Sequence, residues 1–229
     1  PPGTDVFKPP VTNHRTVSDT AVVFDLFGTL VALDDPPEPA AAVASELDAR
    51  GVAVPDDWAA AYREPHIDAP EGAEVPLPAH VSAALDSREI DAPNDVARQA
   101  VVAAFDPAVE TRRGAEKAVR AAGEVGPVGL LSNCAVPELV GRTLDRAELD
   151  RECFDAVVAS VACGWRKPDE RAFAAVARQL GVAVEDLIVV GDSEATDGGI
   201  VDHGGRFVDV SETSPADLPA RLSEEQRCP

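Results

Sequence analysis

Short apolar runs alternate with amphipathic stretches along most of the chain. The runs that predict buried strands are 21–25, 128–131, 156–159, 187–190 and 207–210. Between them, apolar residues recur at helical spacing, as they do from Phe173 to Leu180 before Gly181. Strands that alternate with helices predict an α/β fold with a doubly wound parallel sheet. In such a sheet, functional side chains collect at the carboxyl ends of the strands.

One interval interrupts this alternation. Residues 36–107 lack a convincing strand run and carry helical patterns around 39–50, 56–63, 77–88 and 94–105. We therefore expect a small helical cap, inserted after the first strand, that covers the site and excludes water. Residues 1–19 are rich in proline and polar residues and predict a flexible arm. The predicted domains are an arm over 1–19, a core over 20–35 and 108–229, and a cap over 36–107.

The 229-residue chain carries a strong excess of negative charge, with 41 acidic against 20 basic residues and a net charge of -21. Such a surface repels nucleic acids and anionic membranes, so neither is an expected partner. It favours solubility in concentrated salt, and we expect a halophilic cytoplasm as the setting. The sequence shows no apolar run of about 20 residues and no signal-peptide core. Its four cysteines lack a paired motif and are expected to be reduced. We expect a monomer or a homodimer.

Polar residues of matching character follow four of the predicted strands. They are Asp25 and Thr29 in FDLFGTL, Ser132 and Asn133 in LLSN, Lys167 in KPDERAF, and Asp192 and Asp197 in VVGDSEATD. Each motif alone is weak, because such turns and Lys-Pro pairs are common in loops. Their order at the strand ends of one alternating sheet makes the set specific. Lysine is also scarce, since the chain contains only Lys8, Lys117 and Lys167, and this favours a functional role for Lys167.

With these four motifs, the chain resembles the haloacid dehalogenase superfamily of hydrolases from about residue 21 to residue 210. The resemblance implies a Rossmann-like core with a helical cap inserted after the first strand. It implies that Asp25 is a nucleophile whose covalent aspartyl intermediate is hydrolysed by water. Thr29, Ser132 and Asn133 would then bind the transferring group. Lys167 would neutralise Asp25 and the incoming anion.

The resemblance also implies a metal and a substrate site. In phosphatases of this superfamily, Mg²⁺ is held by acids of the last motif, by the nucleophile and by the carbonyl two residues after it. The corresponding ligands here are Asp25, the Phe27 backbone carbonyl, Asp192 and Asp197. The expected partner is an anionic small molecule. Its predicted contacts are Phe27, Gly28, Ser132, Asn133 and Arg63, the last in the segment DDWAAAYRE.

Phe27 conflicts with the simplest version of this prediction. Superfamily phosphatases carry an aspartate at this position, which protonates the leaving group and then activates water. Phe27 instead resembles the aromatic residue of dehalogenases, whose halide leaves without a proton. Another acid could serve, and Glu194 and His66 are candidates by residue type.

Three functions therefore stay open. The first is a Mg²⁺-dependent phosphatase for a small phosphorylated metabolite, whose leaving group, as in an acyl phosphate, needs little protonation. The second is a metal-independent 2-haloacid dehalogenase. The third is a binding or regulatory protein of this fold with little turnover. A phosphonatase is excluded, because that branch uses a cap lysine and residues 9–116 contain none.

Overall fold

The structure is a computed structural model that describes residues 20–33, 36, 38–210, 217–218 and 220–221, so the predicted arm over 1–19 lies outside the described residues. The described strands are β1 (Ala21–Phe24), β2 (Val31–Leu33), β3 (Val109–Thr111), β4 (Val128–Ser132), β5 (Ala156–Ala159), β6 (Leu187–Gly191) and β7 (Arg206–Asp209). The α-helices are α1 (Pro39–Asp48), α2 (Trp58–Ala61), α3 (Leu77–Asp86), α4 (Asn94–Ala104), α5 (Ala115–Val125), α6 (Leu139–Arg146), α7 (Ser160–Cys163) and α8 (Glu170–Leu180).

Five of these strands form a parallel sheet in the order β5-β4-β1-β6-β7. The central strand β1 is fully buried, and its side chains alternate between two core layers. Val22 and Phe24 pack in the layer that holds α5 and α6, whereas Ala21 and Val23 pack in the layer that holds α8. A strand covered on both faces is uniformly apolar, as AVVF is. The prediction of a Rossmann-like, doubly wound α/β fold is confirmed.

The helices α1 to α4 follow β2 and precede β3. These two short strands pair antiparallel, with Val31 opposite Thr111, so the chain leaves the sheet and returns to it through one narrow ribbon. Helix α4 packs against α1 and α3 around buried Val43, Leu85 and Val101. The predicted helical segments all appear, although the second is reduced to a single turn, α2. The division of the chain into core and cap domains stays a prediction.

The segment 72–77 ties this helical insertion to the core. Ala73 forms a bridge with Trp165, and the Arg166 N–H donates to the Gly72 carbonyl at 3.0 Å. Farther along, the Leu77 N–H donates to the Ala135 carbonyl at 2.9 Å. The insertion is therefore fixed to the loop that immediately precedes Lys167. Within the described ranges, every helix is too short or too polar to cross a membrane.

Candidate active site

Asp25 follows the central strand at the carboxyl edge of the sheet. Its N–H donates to the Val190 carbonyl on β6 at 2.9 Å, which fixes the backbone at the point where β1 ends. Because β1 lies between β4 and β6, the end of β4 at Ser132 and the residues after β6 flank this position. The residue is only 7% exposed. The strand order thus brings together motifs that lie far apart in the sequence.

The Lys167 ammonium lies inside this group and is almost fully buried. Its Nζ is 2.8 Å from Asp25 Oδ1, 2.5 Å from Asp197 Oδ1 and 2.7 Å from the Leu131 carbonyl oxygen. An ammonium has three protons to donate, and three acceptors surround this one. Lys167 is therefore locked between the predicted nucleophile and the last acid of the fourth motif.

Asn133 positions the backbone of Lys167. The Lys167 N–H donates to Asn133 Oδ1 at 2.8 Å, and Asn133 Nδ2 donates to the Lys167 carbonyl at 2.9 Å. Both ends of the amide are thus engaged by one residue of the third motif. Asn133 joins the predicted site as a support for Lys167, while a direct contact with substrate stays a prediction.

Three carboxylates converge beside the ammonium. Oxygen atoms of Asp25, Asp192 and Asp197 all lie within 4.8 Å of one another. We call these residues the acidic trio. With one lysine among them, they leave an excess of two negative charges. Hard carboxylate oxygens at this separation fit a divalent cation such as Mg²⁺.

The crowding of the acids changes their ionisation. Burial, together with the charge of Asp197, outweighs the lowering effect of Lys167 and raises the pKa of Asp25 from 3.8 to about 6. Partial burial and the charge of Asp197 also raise the pKa of Asp192. The charged forms of both acids lack sufficient compensation from the protein, so a bound cation would favour them.

Two buried hydroxyl groups near these acids lack a partner. Thr29 Oγ1 and Ser132 Oγ make no hydrogen bond to any described residue. A buried hydroxyl without a partner costs free energy, so each such group requires an explanation. Both belong to the motifs predicted to bind the transferring group, and an oxyanion would satisfy them.

Glycine residues allow the acids to lie close to the backbone. A β-carbon on Gly28 would lie 2.0 Å from Asp192 Oδ2, and one on Gly191 would lie 2.2 Å from Asp197 Oδ2. Gly28 also has a φ of +87°, which favours glycine. The half-buried Phe27 beside it packs against the hydrophobic core. The loop after Asp25 thus combines Phe27, which packs against the hydrophobic core, with Gly28, which leaves room for the Asp192 carboxylate.

Arg112 is a site residue that the sequence analysis missed. It follows β3, its N–H donates to the Leu30 carbonyl at 2.9 Å, and its guanidinium Nη1 donates to the Gly28 carbonyl. Its charge acts to lower the pKa of Asp192. The only sequence signal is an arginine in ETRRG at the end of the insertion, and the pairing of β2 with β3 brings it to the loop after Asp25.

Arg63, also predicted to bind substrate, lines a different cavity from Lys167. Its exposed side chain lines a cavity of about 300 Å³ together with His66, His80 and Arg166. No hydrogen bond or ion pair joins it to Asp25 or Lys167 in the part of the chain that the structure describes. Lys167 instead lines a larger cleft of about 860 Å³.

Comparison with known proteins identifies the family that this chain matches. Residues 20–199 match the haloacid dehalogenase-like hydrolases. A search of the curated proteins finds no match. Among solved structures, the 2-haloacid dehalogenase from Pseudomonas syringae pv. Tomato DC3000 is similar at 18% identity and a TM-score of 0.65, over 90% of this chain and 99% of that one.

Phosphatases are similar as well. A HAD phosphatase from Thermococcus onnurineus matches at 16% identity and a TM-score of 0.51, over 85% of this chain and 87% of its own. A predicted phosphoglycolate phosphatase from Haemophilus somnus 129PT matches at 14% identity and a TM-score of 0.54, over 91% and 99%. Identities this low show a shared fold. The match over residues 20–199, however, includes all four motifs, and the chain therefore belongs to the haloacid dehalogenase-like hydrolases.

Proposed function

We propose that this hydrolase is a Mg²⁺-dependent phosphatase that acts on a small, anionic phosphorylated metabolite. The observation that carries the proposal is the acidic trio, whose oxygens lie within 4.8 Å of one another. In a dehalogenase without metal, the third carboxylate, Asp192, would only repel an anionic substrate. The trio and the Phe27 carbonyl would hold Mg²⁺, which supplies compensating charge to the phosphoryl oxygens.

The protein's own groups account for the two chemical steps. A carboxylate oxygen of Asp25 would attack phosphorus to form an aspartyl phosphate, and the bond to the leaving-group oxygen breaks with its electron pair on that oxygen. The unpaired hydroxyls of Thr29 and Ser132 donate to the phosphoryl oxygens. Lys167 holds the Asp25 carboxylate in position. Water then attacks phosphorus, and the bond between phosphorus and the Asp25 oxygen breaks with its electron pair on the carboxylate. The protons of the water stay on the released phosphate, and Asp25 is restored.

Phe27 restricts the substrate class. A phenyl ring cannot protonate a leaving group, and loss of such an acid usually costs about 10²–10⁴-fold in rate. A loose phosphoryl transition state needs little protonation when the leaving group is stable as an anion. The proposed substrates are therefore acyl phosphates or phosphoanhydrides of small metabolites.

The surroundings fit this proposal. Helices α1 to α4 would act as the cap over the site, joined to the core by the β2–β3 ribbon and by the segment 72–77. The net charge of -21 supports a halophilic cytoplasm as the place of action.

A metal-independent 2-haloacid dehalogenase is the second candidate. Phe27 favours it, since a halide leaves without a proton. Asp25 would then attack the carbon that bears the halogen, and the resulting ester would be hydrolysed by water.

One experiment separates the two candidates. Protein prepared in concentrated salt is assayed for phosphate release from an aryl and an acyl phosphate, and for halide release from 2-haloacids, each with Mg²⁺ and with excess chelator. Asp25→Asn and Asp192→Asn are assayed in parallel. The phosphatase predicts phosphate release that requires Mg²⁺ and both aspartates. Halide release that persists in chelator and in Asp192→Asn would replace this proposal with the dehalogenase.

A further inference from the structure

Glu74 lies in the segment 72–77 and contacts both ends of the short helix α7. Its N–H donates to the carbonyl of Gly164, the residue after α7, at 2.9 Å. Its side-chain Oε2 accepts a hydrogen bond of 2.5 Å from Oγ of Ser160, the first residue of α7. The backbone and the side chain of one residue of the insertion are therefore both fixed to a helix of the core. The catalytic steps proposed above do not use this carboxylate.

Ser160 connects Glu74 with the loop that follows β4. It is completely buried, and its Oγ accepts a hydrogen bond from the Cys134 N–H at 2.7 Å. A hydroxyl has one proton to donate, and this proton points to Glu74, so the oxygen lone pairs stay available for the Cys134 N–H. Glu74 thus fixes the orientation of a hydroxyl that holds the backbone of this loop.

The register of the sheet explains why Ser160 reaches the loop. In the parallel pair of β4 and β5, Ser132 lies opposite Ala159, so the residues that follow both strands are neighbours at the same edge. The Val161 N–H also donates to the Cys134 carbonyl at 3.2 Å. Both backbone groups of Cys134 are therefore held by the first turn of α7.

The loop held in this way begins with two groups of the candidate active site. Ser132 ends β4, and its buried hydroxyl has no partner among the described residues. Asn133 follows it and is engaged by the backbone of Lys167. Because Cys134 comes directly after these two residues, a shift of its backbone would also displace the Ser132 hydroxyl. A misplacement of about 1 Å can cost about 10²-fold in rate.

We infer that Glu74 is a positioning residue for the Ser132 hydroxyl. It acts through Ser160 and the Cys134 N–H, without a contact to the substrate. Because Glu74 belongs to the insertion and Ser132 to the sheet, docking of the segment 72–77 on the core completes the site. The inference rests on the proposed phosphatase function, in which Ser132 donates to the phosphoryl oxygens.

Amide hydrogen exchange, followed by NMR, tests the first step of this inference without turnover. We expect the Cys134 N–H to exchange about three- to tenfold faster in Glu74→Ala and in Ser160→Ala, as for the loss of one hydrogen bond. Glu74→Gln keeps an oxygen that can accept from Ser160 and should keep the wild-type rate. The control Asp68→Ala removes an exposed carboxylate from the same connection between α2 and α3 and should also keep it. An unchanged rate in Glu74→Ala would overturn the inference.

Kinetics with an acyl phosphate and Mg²⁺ test the second step, at a temperature where every variant is folded. Glu74→Ala should lower kcat about tenfold or more, whereas Glu74→Gln and Asp68→Ala should stay within about twofold of the wild type. In a Ser132→Ala background, the further change Glu74→Ala should lower kcat less than about twofold, because the hydroxyl that Glu74 positions is already absent. Losses that multiply in the double variant would overturn the inference, since Glu74 would then act independently of Ser132.

The two proposals fail in different ways. Absence of phosphate release from the wild type would overturn the phosphatase function. Unchanged exchange of the Cys134 N–H, or losses of kcat that multiply in an active enzyme, would overturn the role of Glu74 alone.

Discussion

The Asp192 carboxylate lies directly against the backbone of Gly28, where a β-carbon would fall 2.0 Å from Asp192 Oδ2. Gly28→Ala should therefore displace Asp192 from the acidic trio. Since a misplacement of about 1 Å can cost about 10²-fold in rate, we expect phosphatase activity to fall about a hundredfold. Mg²⁺ affinity, measured by calorimetry, should fall with it.

Gly51→Ala is the matched control. Gly51 has a φ of +77°, close to the +87° of Gly28, but a β-carbon there would meet nothing within 4 Å. Backbone strain is therefore similar in the two variants, and only Gly28→Ala collides with a carboxylate. Equal losses of activity in both would show that Asp192 is not held by this contact.

The burial of Lys167 between two carboxylates indicates that its loss would lower the free energy of unfolding. Lys167→Met leaves Asp25 and Asp197 without their shared cation. Breaking a buried ion pair from one side usually lowers the free energy of unfolding by about 3–5 kcal/mol. We expect a loss of this size at pH 8 in urea unfolding, with a smaller loss at pH 5, where the stranded acids can bind protons.

Lys117→Met, on the exposed surface of α5, should have little effect on unfolding. The addition of Asp197→Asn to Lys167→Met should restore part of the lost stability, because one unpaired charge is removed. A double variant no more stable than Lys167→Met alone would contradict this electrostatic explanation.

The strands and the convergence of the acidic residues at one edge of the sheet could be predicted because both follow local patterns. The run LIVV forms β6, and Asp25 and Asp192 lie close together because they follow the neighbouring parallel strands β1 and β6. The β2–β3 ribbon could not be predicted, since two three-residue strands at opposite ends of an insertion carry no periodicity. Arg112 was missed for the same reason. The engagement of Asn133 by the Lys167 backbone likewise depends on loop geometry that no motif encodes.

The raised pKa of Asp25 predicts how the stability of the metal-free protein depends on pH. The folded protein holds this proton up to about pH 6, whereas the ordinary pKa of the group is 3.8. Between these values the folded state binds more protons than the unfolded state, so the contribution of Asp25 to stability falls as pH rises. In chelator, the stability of the wild type relative to Asp25→Asn should therefore decrease across this window.

Asp48→Asn, which removes the same charge from an exposed aspartate of α1, provides the comparison. Addition of Mg²⁺ should reduce the wild-type decrease, because a cation favours the ionised carboxylate. A wild type and an Asp25→Asn variant with parallel stability profiles from about pH 4 to about pH 6 would rule out the raised pKa.

Arg112 contacts Gly28 and places a second cation near Asp192. Arg112→Gln should therefore bind Mg²⁺ several-fold more tightly in calorimetry at low salt, since a repelling charge is removed. Arg113→Gln removes the same charge from the exposed neighbouring residue, and salt should screen its smaller effect. Identical Mg²⁺ affinities for the two variants would show that Arg112 does not act on the acidic trio.

The absence of a carboxyl group at Phe27 predicts which substrates an Asp at this position would cleave faster. Phe27→Asp places a carboxyl group two residues after Asp25, where it can protonate a poor leaving group. We expect kcat for an alkyl phosphate to rise about tenfold or more, while kcat for an acyl phosphate stays within a few-fold, because its leaving group needs no proton. Phe27→Asn has a similar shape without the proton and should lose core packing equally. If Phe27→Asn gained as much as Phe27→Asp, the effect would come from a loosened loop, and the substrate class argued from Phe27 would be wrong.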